Sequence, residues 1–387
     1  MSINECDSDR PRLARPVEAV ADGDHVFVRI GQPPSYLRLG AQVWSIARLI
    51  DGARTLDELA NDAGCSDAEA RQVLHRLRRK GLLEGSVVPR RHGSDPRRQS
   101  LFFLKLTWHE PQVLAALGRI PRPTISITAL ISTVAMFGAA SVTIGTLLGP
   151  DMAAQAYASV GLGQLWEIWP AFLLRAIFHE FGHALACLWF GRHVAAVGVG
   201  LYYFQPVAFT DVSDIWMLRE RWRRVVVHAA GPIVDVIVVI VSGVGVLVIS
   251  AGSAKAFCGI VFLSTAVGAI ATLNPLLRND GYFLLLELVE EDNLRGRALA
   301  LLACTAPWRL SIRDRSSAVL VGYGAMSFIY TLLVLFLLAH AASQLIVELA
   351  VDGVDTVPPG LVWAVATVLA AASWWLVLRR ARDRTLA

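Results

Sequence analysis

Six long apolar runs fill most of the sequence after residue 123, and they constrain the fold more than any other feature. Each run is near or above the roughly 20 residues that an α-helix needs to cross the hydrocarbon core of a bilayer. The runs lie at about 124–148, 164–190, 225–250, 257–277, 318–346 and 361–378. Charged residues make up only 18% of the 387 residues, whereas soluble proteins average about 25%. The sequence therefore predicts a mainly α, polytopic helical membrane protein with about six spans, and excludes an ordinary soluble enzyme.

The distribution of arginine orients these spans. Basic residues are concentrated in alternate connections, whereas the connections 149–163 and 347–360 contain none. Because cytosolic connections carry an excess of Arg and Lys, this alternation predicts that both termini are cytosolic. The basic residues are nearly all arginine, which is typical of GC-rich bacterial genomes, so the expected location is a bacterial cytoplasmic membrane. The first 30 residues hold ten charges and no apolar run, so no cleavable signal peptide is expected.

The first hundred residues differ from the rest in being polar, with sixteen Arg or Lys against fourteen Asp or Glu. Alternating apolar residues in 25–30 and 36–39, separated by Gly-Gln-Pro-Pro, predict a β-hairpin. Three helices are predicted next: 43–50, a second after a capping box formed by Thr55 and Glu58, and 68–80. This order predicts a small α+β winged-helix domain over residues 1–85.

Residues 86–123 connect this domain to the membrane part. The segment 86–100 is rich in Pro and Arg, as in a linker. The segment 101–120 mixes aromatic residues with Lys105 and Arg119, and we expect it to lie along the membrane surface. The membrane domain then covers 124–387.

The second predicted span carries the motif HEFGH at residues 179–183. His179 and His183, four residues apart on a helix, can bind one Zn²⁺, and Glu180 between them can act on a bound water. A catalytic zinc needs a third protein ligand. The candidate is Asp280, in the sequence NPLLRNDG at 274–281 that follows the fourth span. A polar patch that only stabilises helix packing is the alternative, but ionisable groups inside a span indicate function by default.

HExxH in one span and NPxxxxDG at the end of a later one resemble the site-2 protease family of intramembrane zinc metalloproteases, over about residues 164–290. The resemblance implies zinc bound by His179, His183 and Asp280, with Glu180 as the general base. It also implies that an Asn and a Pro before the Asp-Gly pair position substrate or stabilise an oxyanion. Here these are Asn274 and Pro275, although the family's Asn often stands three residues before the Pro, where this chain has Thr272.

Two further segments resemble parts of the same family. The sequence GPIVD at 231–235 is similar to a GPxxN segment, with Asp235 in place of Asn. Substrate positioning and a helix–helix hydrogen bond are both open roles for Asp235. The aromatic stretch 201–214 resembles a re-entrant hairpin whose edge could pair with an unwound substrate strand, and Gln205 is a candidate substrate-positioning residue. A plain connecting hairpin is the alternative for this stretch.

The N-terminal outline, with Asp-Gly-Ala-Arg-Thr at 51–55 before a helix, is similar to PqqD-like domains over about residues 12–85. Those domains bind the leader peptide of ribosomally made, modified peptides as an added strand. A winged helix could instead bind DNA, and its candidate contacts are Arg76, Arg78, Arg79 and Lys80. The near-neutral charge of the domain argues against extensive phosphate contacts, so no nucleic-acid partner is expected.

Fusion of such a domain to a membrane metalloprotease resembles a bacterial group of peptide zinc metalloproteases linked to peptide maturation and export. The expected function is hydrolysis of a peptide or membrane-associated substrate by a zinc metalloendopeptidase, in maturation or export of a modified peptide. Three alternatives stay open: regulated proteolysis of a membrane-tethered regulator, a non-proteolytic chaperone or export component, and a membrane-anchored DNA-binding protein.

Overall fold

The structure is a computed structural model of the chain, and it describes ten stretches of residues. These are 10–23, 25–31, 34–79, 82–84, 103–109, 165–202, 205–250, 252–289, 293–304 and 315–349, with the single positions 139, 143, 146 and 379. The chain divides into two compact units, Met1–Ile270 and Ala271–Ala387.

The N-terminal region of the first unit is a three-stranded antiparallel sheet packed on three helices. The strands β1 (Val17–Asp22), β2 (His25–Ile30) and β3 (Ser35–Gly40) are paired in that order. The helices are α1 (Ala41–Ala47), α2 (Leu56–Ala63) and α3 (Asp67–Arg79). The predicted hairpin, three helices and capping box are confirmed, whereas β1 was not predicted. Its sequence VEAVAD alternates only weakly, because small alanines stand where strands usually carry large apolar residues.

The two faces of this sheet have different chemistry because side chains alternate along each strand. One face is apolar: Val26, Val28 and Ile30 are buried against the helices, together with Leu59 and Leu77. The opposite face carries a cross-strand row formed by Glu18, Arg29 and Tyr36. The sheet therefore has a core side and a polar side.

A second three-stranded sheet follows, in the order β4 (Phe103–His109), β5 (Ala196–Tyr202) and β6 (Gln205–Asp211). The hairpin of β5 and β6 overlaps the hairpin predicted at 201–214, but it begins earlier, at Ala196, and ends earlier, at Asp211. The strand β4 was not predicted, and whether it lies along the membrane surface stays a prediction. Gly198 in the central strand is required by packing, since a Cβ there would overlap the ring of Phe209 and the carbonyl oxygen of Leu106.

Three long helices complete the first unit: α4 (Leu165–Trp189), α5 (Arg221–Val248) and α6, which runs over Ser253–Leu273. In the second unit lie α7 (Asp280–Val289), α8 (Leu294–Cys304) and α9 (Arg315–Leu349), around a core that includes Tyr282, Leu294 and Tyr323. Within the described residues, α4, α5, α6 and α9 are long and apolar enough to cross a membrane. They correspond to four of the six predicted spans; the other two, 124–148 and 361–378, lie outside the ten described stretches.

The polar side of the N-terminal sheet is docked onto the segment between α4 and α5. At its centre is the buried carboxylate of Asp214, in a 3₁₀ turn over Ser213–Met217. Asp214 accepts hydrogen bonds from the Tyr36 hydroxyl, the Arg192 guanidinium and the His193 backbone N–H, each 2.9 Å long. Arg192 also donates to both carboxylate oxygens of Glu18, at 3.0 and 3.2 Å. One carboxylate thereby links the N-terminal sheet to the residues that follow α4.

A second set of contacts extends this docking interface. Phe27 is stacked on Trp216, with ring centroids 5.3 Å apart. The guanidinium of Arg224, which is 2% exposed, donates to Asp22 at 3.1 Å and lies over the Phe27 ring. Buried Arg–carboxylate pairs and stacked rings resist separation, so the N-terminal sheet is a fixed part of the first unit.

Candidate metal centre

Two facing rows of residues on α4 and α5 build the site. On α4, Arg175, His179 and His183 are spaced four residues apart and therefore share one face of the helix. On α5, Val227, Gly231 and Asp235 have the same spacing. The rows run in opposite directions: His183 contacts Val227, both histidines contact Gly231, and His179 and Arg175 contact Asp235. The two helices are thus antiparallel where these residues meet.

The hydrogen bonds of the two histidines determine which nitrogen of each ring can bind a metal. His183 Nδ1 lies 2.7 Å from the carbonyl oxygen of Val227, which can only accept, so Nδ1 carries the proton. His179 Nδ1 lies 2.9 Å from Oδ2 of the buried Asp235 carboxylate and donates to it in the same way. A neutral imidazole with Nδ1 protonated has a lone pair on Nε2. In both rings Nε2 is therefore the nitrogen whose lone pair a metal would use.

The separation of these two atoms fits a shared metal ion. His179 Nε2 and His183 Nε2 are 3.2 Å apart. Two nitrogens bound to one tetrahedral zinc at about 2.0–2.1 Å lie roughly 3.3–3.4 Å from each other. The residues present accordingly fit a zinc ion.

Glycine makes room for this arrangement. A Cβ at Gly231 would overlap Nε2 of both His179 and His183, so no larger residue fits opposite the two rings. Gly182 has a related role, because a Cβ there would come within 2.7 Å of the carbonyl oxygen of Ala230. The glycines of HEFGH and of GPIVD therefore permit the close approach of α4 and α5.

Arg175 belongs to this site and was missed in the sequence. Its guanidinium donates to Asp235 Oδ2 at 2.6 Å, and both side chains are largely buried, at 11% and 0% exposure. The sequence did contain a signal for it: an arginine inside a predicted span, four residues before the first histidine. An ionisable side chain inside a span is costly unless it is paired, so such a residue indicates a buried partner. Asp235 is fully buried and contacts His179. Of its two open roles, substrate positioning and a helix–helix hydrogen bond, this contact favours the hydrogen bond.

Glu180 is half-buried one position after His179. Its backbone carbonyl accepts a hydrogen bond of 3.2 Å from the Thr210 hydroxyl of β6. Strand β6 packs along α4, so the hairpin lies beside the HEFGH turn. Gln205 is the first residue of β6, but its side chain lies outside the described residues, and its predicted role stays a prediction.

The remaining candidates lie in the second unit. Asp280 is the first residue of α7, and Gly281 is required after it, since a Cβ there would overlap the carbonyl oxygen of Leu273. The Oδ1 atom of Asn274 accepts a hydrogen bond of 2.9 Å from the Leu276 backbone N–H. The Pro275 carbonyl accepts one of 3.1 Å from the Tyr323 hydroxyl. The sequence NPLLRNDG thus forms an ordered turn between α6 and α7.

His179 and His183 in the first unit offer imidazole nitrogens and Asp280 in the second offers a carboxylate, and these are ligand types that zinc takes. Comparison with known families adds independent evidence. Residues 169–370, more than half of the chain, match Peptidase family M50. The chain belongs to peptidase family M50. This family of zinc metalloproteases implies zinc as the metal, and together with the four long apolar helices it indicates a membrane protein.

The M50 chain also resembles a curated protein of Bacillus subtilis (strain 168) named "Putative peptide zinc metalloprotease protein YydH". The two are 25% identical over 132 residues, which are 33% of this chain and 51% of the relative. The M50 chain thus matches about half the length of that relative. No solved structure matches it significantly. The family match begins at Trp169, so the PqqD-like resemblance of the N-terminal region stays a prediction.

Proposed function

We propose that this chain is a membrane-embedded zinc metalloendopeptidase that hydrolyses peptide bonds of a peptide or membrane-associated substrate. The observation that carries the proposal is the distance of 3.2 Å between His179 Nε2 and His183 Nε2, the two histidines of an HExxH motif. Membership of family M50 supports the same reaction. The role of each residue follows from its chemistry.

In this proposal His179, His183 and Asp280 hold the zinc ion. When bound, zinc would polarise the scissile carbonyl and make water a better nucleophile. Glu180 would accept a proton from the attacking water and pass it to the leaving amine. Asn274 stabilises the developing oxyanion through its amide Nδ2, since the hydrogen bond from Leu276 N already occupies its Oδ1 atom. Pro275 shapes the same turn and positions the substrate.

The substrate has to be extended before it can be cleaved, because the backbone groups of an intact helix are already hydrogen-bonded. Strand β6 lies beside α4 and contacts the backbone of Glu180 through Thr210. An extended segment aligned with this hairpin would pass the general base, with Gln205 as a positioning residue. This placement favours a substrate-guiding role for the hairpin over that of a plain connection.

Substitution of Glu180 separates an enzyme from a chaperone or export component. Glu180 is not a metal ligand in this scheme, so Glu180→Gln should keep about one zinc per chain and stop cleavage. Zinc is measured by elemental analysis of the protein in detergent, and cleavage by mass spectrometry of a peptide substrate. Glu287→Gln on α7 is the control and should leave both unchanged. Undiminished cleavage by Glu180→Gln would reject the protease assignment.

We further propose that the substrate is a ribosomally made, modified peptide that is matured or exported at a bacterial cytoplasmic membrane, with both termini of this chain cytosolic. The name of the Bacillus subtilis relative and the PqqD-like resemblance support this class of substrate. The N-terminal sheet has β1 and β3 as its edge strands, and a leader peptide would add as a further strand at the edge of β3, the second strand of the predicted hairpin. Proteolysis of a membrane-tethered regulator is the competing substrate class.

Salt dependence distinguishes a peptide partner from DNA. Fluorescent leader peptides and a random DNA duplex are titrated against the full chain in detergent, from roughly 50 to 200 mM salt. Strand addition depends on backbone hydrogen bonds and apolar contacts, so peptide binding should weaken only modestly. Duplex binding through Arg76 and Arg78 would collapse over the same range. Tight, salt-sensitive duplex binding without peptide binding would reject leader recognition.

A further inference from the structure

Arg175 and Asp235 form an ion pair that contacts the candidate metal centre but contains none of its ligands. Asp235 Oδ2 accepts two hydrogen bonds, one of 2.6 Å from Arg175 and one of 2.9 Å from His179 Nδ1. One carboxylate oxygen therefore connects the guanidinium to the imidazole. Asp235 is fully buried and Arg175 nearly so.

A contribution to folding stability does not by itself explain this ion pair. Burying two charges costs several kcal/mol each, and the cost is recovered only when every polar atom of the pair is hydrogen-bonded. Among the described residues, Asp235 Oδ1 and Arg175 Nε have no hydrogen-bond partner. An incompletely satisfied buried pair contributes little to folding, which points to another role for it.

The surrounding helices hold the pair in one place. A Cβ at Gly268 on α6 would overlap the Arg175 guanidinium, so this glycine leaves the space that the guanidinium occupies. Arg175 therefore lies where α4, α5 and α6 meet. From this position Arg175 donates to Asp235 across the helix interface. On its own helix it lies one turn before His179.

We propose that Asp235 and Arg175 are positioning residues for the metal centre. Asp235 keeps the proton of His179 on Nδ1 and fixes the plane of the ring, so that Nε2 faces the metal. Arg175 donates to the same oxygen and holds the Asp235 side chain in the position from which it accepts from His179. Hydrogen-bonded partners of metal-binding histidines typically change metal affinity by about 10–100-fold when removed. This inference rests on the proposed zinc site and adds the residues that orient one of its ligands.

Two neutral double variants test the role of Asp235 without leaving a buried charge unpaired. Arg175→Gln with Asp235→Asn keeps an oxygen that can accept from His179 Nδ1. Arg175→Gln with Asp235→Ala removes that acceptor and is otherwise matched to it. The zinc affinity of each protein is measured in detergent by competition with a fluorescent chelator, and the thermal stability of the metal-free forms is measured in parallel. Ser242→Ala, a buried polar position further along α5, serves as the control.

The variant with Asn is expected to bind zinc about 10–100-fold more tightly than the variant with Ala, and Ser242→Ala should match the unaltered protein. Equal zinc affinities of the two double variants would overturn the positioning role. So would a difference confined to the thermal stability of the metal-free forms, because that is the result of a purely structural pair. Absence of zinc binding by the unaltered protein would instead overturn the proposed function, and this inference with it.

Discussion

The imidazole rings of His179 and His183 meet edge to face, with centroids 4.9 Å apart and Nε2 atoms 3.2 Å apart. Neither ring can turn away without losing its Nδ1 hydrogen bond, to Asp235 in one case and to the Val227 carbonyl in the other. The protein thereby holds the two Nε2 atoms at the spacing of ligands that share one metal ion. Metal binding is for this reason coupled to the stability of the α4–α5 contact.

Removal of zinc should lower the thermal stability of the protein. A ligand that binds only the folded state at 100 times its Kd stabilises that state by about 2.7 kcal/mol. We expect the unfolding temperature in detergent to fall on addition of a chelator and to recover on addition of zinc, but not of magnesium, which prefers oxygen ligands. An unfolding temperature that does not respond to chelator would contradict a zinc ion between His179 and His183.

Substitution of Gly231 should abolish metal binding. The Cβ of Gly231→Ala would overlap both Nε2 atoms and force the rings apart. Zinc content is measured by elemental analysis, and helix content by circular dichroism. Gly259→Ala on α6 is the matched control, since a Cβ at Gly259 meets no atom within 4 Å. Retention of a full zinc complement by Gly231→Ala would show that the metal lies elsewhere.

Substitution of Asp280 tests the third ligand. With two imidazoles remaining, Asp280→Ala should bind zinc far more weakly than the unaltered protein, because a catalytic site uses three protein ligands. Asn279→Ala disturbs the same turn by removing a hydrogen bond to the Ala271 carbonyl, but leaves the carboxylate in place. Zinc should be lost in the first variant and kept in the second. Loss of zinc in Asn279→Ala with retention in Asp280→Ala would show that zinc binding depends on the turn and not on the Asp280 carboxylate.

Loss of the Asp214 carboxylate should loosen the N-terminal sheet. Asp214→Asn leaves Arg192 without one of its two carboxylate partners, which we expect to cost about 1–3 kcal/mol. Hydrogen exchange of the backbone amides in β2 and in the turn Ser213–Met217 reports the docking. Exchange should accelerate in Asp214→Asn and remain unchanged in Glu220→Gln, whose carboxylate is paired with Arg223 on the surface. Unchanged exchange in both variants would mean that Phe27 and Trp216 suffice to hold the sheet.

The same contact should depend on pH. Burial alone would raise the pKa of the Asp214 carboxyl, but hydrogen bonds from Arg192, the His193 N–H and Tyr36 outweigh it and hold the pKa below the ordinary 3.8. Stabilisation by a carboxylate with a lowered pKa is present above its ordinary value and is lost as the pH falls through the lowered one. Docking, followed by hydrogen exchange of the β2 amides, should therefore weaken below about pH 4. The acid transition should be smaller in Asp214→Asn, in which Glu18 and Asp22 are the remaining carboxylates of the interface.

Local patterns in the sequence were sufficient for much of this protein. The length of the apolar runs predicted α4, α5, α6 and α9, because a helix that faces lipid must be apolar over a length fixed by the bilayer. The capping box at Thr55 and the spacing of HEFGH are contained within single helical turns, and both predictions could be made without tertiary information.

The tertiary structure alone decided which partners these elements meet. Nothing in the sequence around Asp235 distinguishes a substrate-positioning residue from a partner of His179, since the two lie 56 positions apart. Arg175 and Gly268 likewise acquire meaning only when α4, α5 and α6 pack together. Strands β1 and β4 depend on pairing with β2 and β5, and the Asp214 contact joins residues up to 178 positions apart. Sequence periodicity records which face of an element is buried, whereas the identity of the buried neighbour depends on long-range packing, which no local pattern encodes.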